Sequence, residues 1–340
     1  MTEIKPPEAL LTLLQNNEQF ILAGHREPDG DCIGSMLALD SWLRRHGKKT
    51  TLVTAGPFKR PEIKHLEHLF LRTAPDSPEK KDSILLILDC SNLDRLGDAA
   101  EGLSGLNTAV IDHHATNDSR GPADFVRPDA PATTRLVQAI IEGAGGQPSA
   151  EEAEYLLFGL CTDTGFFRHL DETGADSMCA ASRLMLCGAS PKKTFHWMYG
   201  GKNINSRILL AHVLNRLTPC YSGGLMVTWE NMADTQQFGL EGRDSDSLYQ
   251  LIQAIEGVEA IVIVRQETET NCTVGFRSRD RVDVSRIAAR FGGGGHRQAS
   301  GLSIQGTIRT VLPRLVEAFA DYFPGQPAWD TQSKPEFLDS

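Results

Sequence analysis

Residues 19–45 read QFILAGHREPDGDCIGSMLALDSWLRR. The run from Gln19 to Gly24 is nearly all apolar and stops abruptly at His25. Pro28-Asp29-Gly30-Asp31 is turn chemistry, and from Ile33 to Arg45 apolar residues recur at helical spacing. The stretch predicts strand, loop, helix. The same grammar recurs at KKTTLVTAG (48–56), at SILLILDC (83–90), which runs into Asp89, and at NTAVIDHH (107–114), which runs into Asp112, His113 and His114. Near-continuous apolar strands separated by helical segments predict a parallel sheet with helices on both faces. Beyond them, TRLVQAIIEGAGG (134–146) and SAEEAEYLLFGLCTDTGFF (149–167) have helical spacing and place Asp163 near the end of a buried helix.

Open parallel sheets bind ligands beyond the carboxyl ends of their strands, and here those ends carry His25, Asp29, Asp31, Asp89, Asp112, His113 and His114. Carboxylates gathered at one edge repel one another unless cations neutralise them, so two divalent ions are the economical expectation. Mixed Asp and His ligation suits manganese or magnesium better than a thiolate-free zinc site, with zinc left open. A pair of ions roughly 3.5–4 Å apart polarises a phosphoryl oxygen and stabilises the leaving oxygen, which makes phosphoester hydrolysis the expected reaction. Taken singly, Asp29-Gly30-Asp31 is an ordinary turn, and Asp89, Asp112 and Asp163 are helix caps. Only their joint spacing favours metal.

Residues 1–189 are therefore read as the metal-binding catalytic domain, with 190–220, where helical spacing is broken by Gly200-Gly201, as a helical connector. From 221 to 323 the order of GLMVTWE, SLYQLIQAIEGV, EAIVIVRQE, TVGFRSR and VDVSRIAARF, then GGGGHRQASG and a last helix near 308–323, predicts a smaller α/β domain with a mixed sheet. The polar, proline-containing stretch 324–340 is expected to be loosely ordered.

Two domains also suit 340 residues with 40% hydrophobic content, at roughly 100–200 residues each. A formal charge of −10 argues against tracking of long duplex nucleic acid, which is driven by neutralising many phosphates, and is compatible with a small phosphorylated substrate. Seven widely spaced cysteines without a Cys-x-x-Cys pair are expected to be reduced, mostly buried thiols. No apolar run approaches the ~20 residues of a membrane span and the first residues lack signal-peptide order, so a cytoplasmic protein is expected, with homodimer formation left open.

At this point the residues resemble a known family. His25 through Ser35 is similar to the first motif of the DHH family of phosphoesterases, Asp89 with Arg95 to its second, Asp112-His113-His114 to the triplet that names it, and Thr162-Asp163-Thr164-Gly165 to its fourth. Gly293-Gly294-Gly295-His296 with Ala299 and Gly301 resembles the signature of the DHH-associated C-terminal domain, so the resemblance runs from about residue 19 to 322. Each motif alone is a weak signal, and their full order is specific. The chain looks most like the NrnA-type oligoribonuclease and pAp phosphatase group, which overlaps with cyclic-dinucleotide phosphodiesterases.

The resemblance implies that His25, Asp29 and Asp89 hold one ion and Asp31, Asp89, His113 and Asp163 the other, with Asp31 or Asp89 bridging. It implies that His114 contacts phosphate or moves a proton and that Asp112 orients an imidazole. Arg277, Ser278, Arg279, His296 and the backbone at Gly294 and Gly295 are implied as contacts to a terminal phosphate. The bland readings are a flexible glycine turn and a charged strand edge. One departure stands out: Arg135 occupies a position where the family commonly has Glu, which puts any role of that loop in doubt. The expected substrates are linear dinucleotides, short single-stranded oligoribonucleotides and 3′-phosphoadenosine 5′-phosphate (pAp). A cyclic-dinucleotide phosphodiesterase is the alternative, and a nucleotide-binding regulator without turnover is the non-enzyme alternative. A RecJ-like exonuclease would need more nucleic-acid-binding surface, and a pyrophosphatase would not need the glycine-rich domain.

Overall fold

The structure, a computed structural model, describes residues 4–76, 78–115, 121–329 and 335, and it divides into two units, Met1–Gly201 and Lys202–Ser340. The first unit runs α1 (Glu8–Asn16), β1 (Gln19–Gly24), α2 (Gly30–Arg45), β2 (Lys49–Val53), α3 (Pro61–Lys64), β3 (Ile84–Leu88), β4 (Thr108–Asp112), β5 (Phe125–Val126), α4 (Thr133–Gly143), α5 (Ala150–Asp163), α6 (Ala175–Leu186) and α7 (Pro191–Tyr199). Its strands form the expected parallel sheet, in the order β2-β1-β3-β4-β5.

The central strands β1, β3 and β4 are largely apolar because both faces are covered, whereas β2 at the sheet edge opens with Lys49-Thr50-Thr51. Phe20, Leu22, Leu86, Leu88 and Ile111 pack under α1, α2, α4 and α5, while Ile21, Ala23, Leu85, Ile87 and Val110 face a second cluster with Leu96, Ala99 and Leu103. That second face is covered in part by 3₁₀ turns over Leu93–Ala100.

The second unit runs α8 (Ile204–Asn215), β6 (Thr218–Cys220), β7 (Leu225–Glu230), α9 (Met232–Phe238), α10 (Ser245–Gln253), β8 (Ala260–Thr268), β9 (Asn271–Ser278), α11 (Val284–Arg290), β10 (Gly294–His296), β11 (Ala299–Gln305) and α12 (Ile308–Glu317). Its six strands are ordered β10-β11-β9-β8-β7-β6, with β7 and β8 parallel and the other neighbours antiparallel, so the sheet is mixed as expected. α11 and α12 pack on one face and α8, α9 and α10 on the other.

The stretch 190–220, expected as a connector, divides between the units. On α7, Trp197 stacks on Phe158 with ring centroids 3.9 Å apart and donates its indole N–H to the Glu62 carbonyl at 2.7 Å. On α8, Leu209 and Val213 join Met226 and Ile261 in the second unit's core. Each helix carries an apolar stripe for its own unit, and the glycine pair lies between them. In the stretch 324–340, Ala328 and Trp329 pack against the second core, while 330–334 and 336–340 lie outside the described residues. Cys32, Cys90, Cys161, Cys220 and Cys272 are buried and Cys179 is exposed. Among the described residues no helix is long and apolar enough to cross a membrane.

One ion pair gives a stability prediction. Asp234 sits at the third position of α9, accepts the Asn231 N–H at 2.7 Å and pairs with both terminal nitrogens of Arg216 at 2.5 and 2.9 Å. Burial pulls its pKa upward, but Arg216 and the Asn231 amide outweigh burial and hold the carboxyl below its usual value. A depressed folded pKa contributes stability above the unfolded value of about 3.9 and loses it as pH falls through the folded value. Asp234→Asn should therefore lower stability by about 1–3 kcal/mol at pH 7. Denaturant melts of wild type and variant should converge in acid, and an equal gap at both pH values would contradict the ionic account.

Candidate active site

Because β1, β3 and β4 are parallel, their carboxyl ends open on one edge, and the chain places its acids and imidazoles there. His25 follows β1, Asp89 follows β3, Asp112 ends β4 with His113 and His114 next, and Asp163 is the last residue of α5. Asp29 caps α2: its Oδ1 accepts the N–H groups of Asp31 and Cys32, each at 3.1 Å. Asp31 lies in the first turn of the same helix and is fully buried.

Among the described residues, three groups of side chains can hold a metal ion: His25, Cys32 and Asp89; Asp89, His113 and His114; and Asp31, His113 and Asp163. Within each group the donor atoms all lie within 4.8 Å of one another. Asp89 is the hub. Its Oδ2 lies 3.5 Å from His25 Nε2, and its Oδ1 lies 3.6 Å from His113 Nε2 and 3.8 Å from His114 Nδ1. Its backbone has φ +61°, which non-glycine residues adopt rarely and Asp more readily than most. His113 Nε2 also faces Asp163 Oδ2 at 3.2 Å and Asp31 Oδ2 at 3.9 Å. His169, on the turn after Asp163, belongs to none of these groups.

The imidazoles are oriented by their other nitrogens. His25 Nδ1 lies 2.9 Å from the Arg26 carbonyl and His113 Nδ1 3.3 Å from the Ala130 carbonyl. A carbonyl only accepts, so each Nδ1 carries a hydrogen and each Nε2 is turned toward the carboxylates, where it donates as imidazolium and, once deprotonated, offers its lone pair to a cation. His114 is arranged differently. Its Nδ1 is 2.7 Å from Asp112 Oδ1, which also accepts its backbone N–H at 3.1 Å, and the residue is only part-buried.

Asp31 is fixed by a feature the sequence reading did not assign. The start of α4 has no side-chain cap of its own, and Asp31 serves instead: Oδ2 accepts the Thr133 N–H at 2.5 Å, and Oδ1 accepts the Thr134 N–H at 2.9 Å and its hydroxyl at 2.7 Å. The Thr133 hydroxyl donates to Asp89 Oδ1 at 2.9 Å. Arg135 points away to Asp176 on α6, at 2.8 Å. The loop in doubt at Arg135 thus supports two acids through its threonines. The only sequence signal was paired Thr at a helix start.

Close helix packing makes this possible. A Cβ on Gly34 would stand 2.7 Å from the Tyr155 carbonyl, and one on Gly159 would stand 2.4 Å from the Thr134 methyl and 3.1 Å from Asp31 Cα. Gly159→Ala should displace Thr134 and Asp31 together and weaken metal affinity by about 10–100-fold, as loss of supporting bonds around ligands does. Calorimetric metal titration checks it, and unchanged affinity would reject the coupling.

The charges are poorly balanced. Burial together with Asp89 and Asp163 pushes Asp31 well above the usual carboxylate range, and burial with Asp29 and Asp163 raises Asp89 despite the bond from His25. Burial disfavours imidazolium at His113, yet Asp163, Asp31 and Asp89 bring it up to about 10. His25 is raised in the same way, against burial, by Cys32, Asp29 and Asp89. Asp29 is pulled upward by burial, but His25 outweighs that and brings it down to about 2. The hydrogen bond to Asp112 raises His114. Crowded buried acids that recruit every nearby imidazole as a counterion are a site suited to added cations.

In the second unit, Arg277 stacks on Tyr249, 4.6 Å from the ring centroid, and donates to the Phe276 carbonyl at 2.9 Å. Ser278, expected at a phosphate, turns inward, and its hydroxyl donates to the Val282 carbonyl at 2.7 Å. Arg279 reaches the Gln253 carbonyl at 2.6 Å. Gly294, Gly295 and His296 form β10, an exposed edge strand, where a turn was expected. Gly295 has φ +140°, and a Cβ there would meet the Ala299 carbonyl at 2.6 Å. By register Gly294, Gly301 and Gly275 sit side by side across β10, β11 and β9, while His296, Ala299 and Arg277 form the next row on the same face. The result is a strip without side chains, bordered by Arg277 and His296.

Comparison with known proteins followed the same division. Residues 19–160 match the N-terminal domain of the DHH family and residues 225–324 match the DHHA1 domain. The chain is 32% identical over 307 residues, 87% of this chain and 88% of the relative, to the bifunctional oligoribonuclease and PAP phosphatase NrnA of Thermus thermophilus. It is 23% identical to the cyclic-di-AMP phosphodiesterase PdeA of Listeria monocytogenes, across 94% of this chain and 50% of that protein. A crystal structure of an exopolyphosphatase-related protein from Bacteroides fragilis shares the fold, with a TM-score of 0.72, 21% identity and coverage of 95% of this chain and 97% of that one.

Proposed function

The chain belongs to the DHH family, with a DHHA1 domain behind the first, and on that premise we propose that it is a dinuclear-metal phosphoesterase acting on short oligoribonucleotides and pAp. The observation that carries the reading is Asp89, whose two oxygens face His25 on one side and His113 on the other. In this reading His25, Asp29 and Asp89 would hold one ion, and Asp89, Asp31, His113 and Asp163 would hold the second. The hydrogen bonds that tie both Asp31 oxygens to the start of α4 support Asp89, rather than Asp31, as the carboxylate the two ions would share. Oxygen and imidazole donors suit manganese, with magnesium as the alternative.

When bound, the ions supply Lewis-acid polarisation of the phosphoryl group and lower the pKa of water. The chain's own residues do the rest. The Nδ1 bonds of His25 and His113 keep the donor nitrogens aimed at the acids, and the turn at Thr133-Thr134 holds Asp31 without a free rotamer. Asp112 keeps the His114 hydrogen on Nδ1 and favours the imidazolium, whose second N–H is available to donate to a phosphoryl or leaving oxygen. Arg277, with His296 and the amides of Gly294 and Gly295, binds the terminal phosphate of the substrate. Ser278 supports the strand end, and Arg279 contributes surface charge.

Arg277→Ala should raise KM for pAp about 10–100-fold, the effect of losing one or two charge-assisted hydrogen bonds, with kcat within a few-fold. Unaltered KM rejects the phosphate role. Hydrolysis of pAp, a linear dinucleotide, a five-nucleotide RNA and cyclic di-AMP under identical conditions ranks the substrates. Preference for the first three supports the proposal, and a cyclic-dinucleotide preference supports the alternative that the Listeria relative keeps in view. Measurable nucleotide binding with no turnover of any of the four supports a regulator.

A further inference from the structure

We propose that Cys32 supplies a sulfur donor to the His25–Asp89 metal position, making it selective for borderline or soft divalent ions, while the Asp31–His113–Asp163 position takes manganese or magnesium. The proposal rests on the metal centre read above. Cys32 Sγ lies with a His25 ring nitrogen and an Asp89 carboxylate oxygen, all within 4.8 Å of one another, and the residue is fully buried. Donors around one tetrahedral ion stand roughly 3.6 Å apart, given Zn–S and Zn–N lengths of about 2.3 and 2.1 Å, so side-chain adjustments of about an ångström seat a shared ion.

A separate observation shows how the sulfur comes to be there. A Cβ on Gly24 would lie 2.3 Å from Cys32 Sγ and 2.7 Å from Met36 Sδ, so the missing side chain at the end of β1 is what leaves room for sulfur beside His25. Met36 Sδ is itself 4.0 Å from the thiol and fully buried, which gives this side of the centre a polarisable lining. The position around His113 has no counterpart, since its group contains only carboxylates and an imidazole. Thiolate selects for zinc, cobalt or cadmium over manganese, and oxygen-rich sites do the reverse, so one centre presents two chemically unequal positions.

The test is titration of metal-stripped, full-length protein with cobalt(II), read as sulfur-to-cobalt charge-transfer absorption in the near ultraviolet. Manganese binding is followed in parallel by electron paramagnetic resonance. Wild type should develop the band with the first equivalent. Cys32→Ala and Cys32→Ser should lose it and bind cobalt about tenfold more weakly, while keeping the far-ultraviolet circular dichroism of wild type and manganese affinity within about threefold. Cobalt binding to wild type without the band, or a full band in either variant, overturns the role of Cys32 and leaves the metal centre standing. Absence of saturable cobalt and manganese binding in wild type overturns the metal centre and this proposal with it.

Discussion

Asp89→Asn should lower turnover of pAp and of short oligoribonucleotides by about 10³-fold or more, because in the proposed centre both ions would depend on that carboxylate and each would supply several kcal/mol of transition-state stabilisation. Asparagine isolates the charge. It keeps the size of the side chain, can still accept the Thr133 hydroxyl, and tolerates the left-handed backbone at φ +61° nearly as well as aspartate. The fold should therefore survive. Without metal, the variant should be at least as stable as wild type at pH 7. An acid whose folded pKa is raised by burial and by Asp29 and Asp163 is a cost to the folded state above that pKa, and the substitution removes it. The gain in melting temperature that manganese gives wild type should largely vanish in the variant. Activity within tenfold of wild type would remove Asp89 from the centre of the site.

The second large effect is expected at His114. His114→Ala should lower kcat by about 10²–10⁴-fold, the range for a positioned proton donor, with manganese affinity nearly unchanged because its Nδ1 is taken by Asp112. Asp112→Asn should cost less, since the amide oxygen still accepts from Nδ1 while no longer stabilising imidazolium. A kcat loss matched by an equal loss of metal affinity in His114→Ala would instead make it a ligand.

Much of this was legible because parallel strands are written as uninterrupted apolar runs, and the polar residue that ends each run marks the binding edge. QFILAG before His25 and SILLIL before Asp89 are of this kind. What was illegible depends on contacts between distant segments. Asp31 and the pair Thr133-Thr134 are about a hundred residues apart, and neither predicts the other. GGGGH looked like a turn because glycine has little strand propensity, yet pairing with β11 makes Gly294–His296 a strand, in which Gly295 takes a φ that suits glycine. Cys32 gave no signal of its own, since the space around its sulfur is set by Gly24 on another element. Helix α6 passed unread, with Met178, Met185 and Leu186 exposed and blurring its apolar stripe.

The central claim is a two-ion centre that hydrolyses phosphoesters, and it is tested most directly by phosphate release from pAp as manganese is added stepwise to chelator-treated protein. Turnover should be absent at the start, remain low through the first equivalent per chain and rise with the second. Turnover that persists in chelator, or that saturates at one equivalent, would contradict the account.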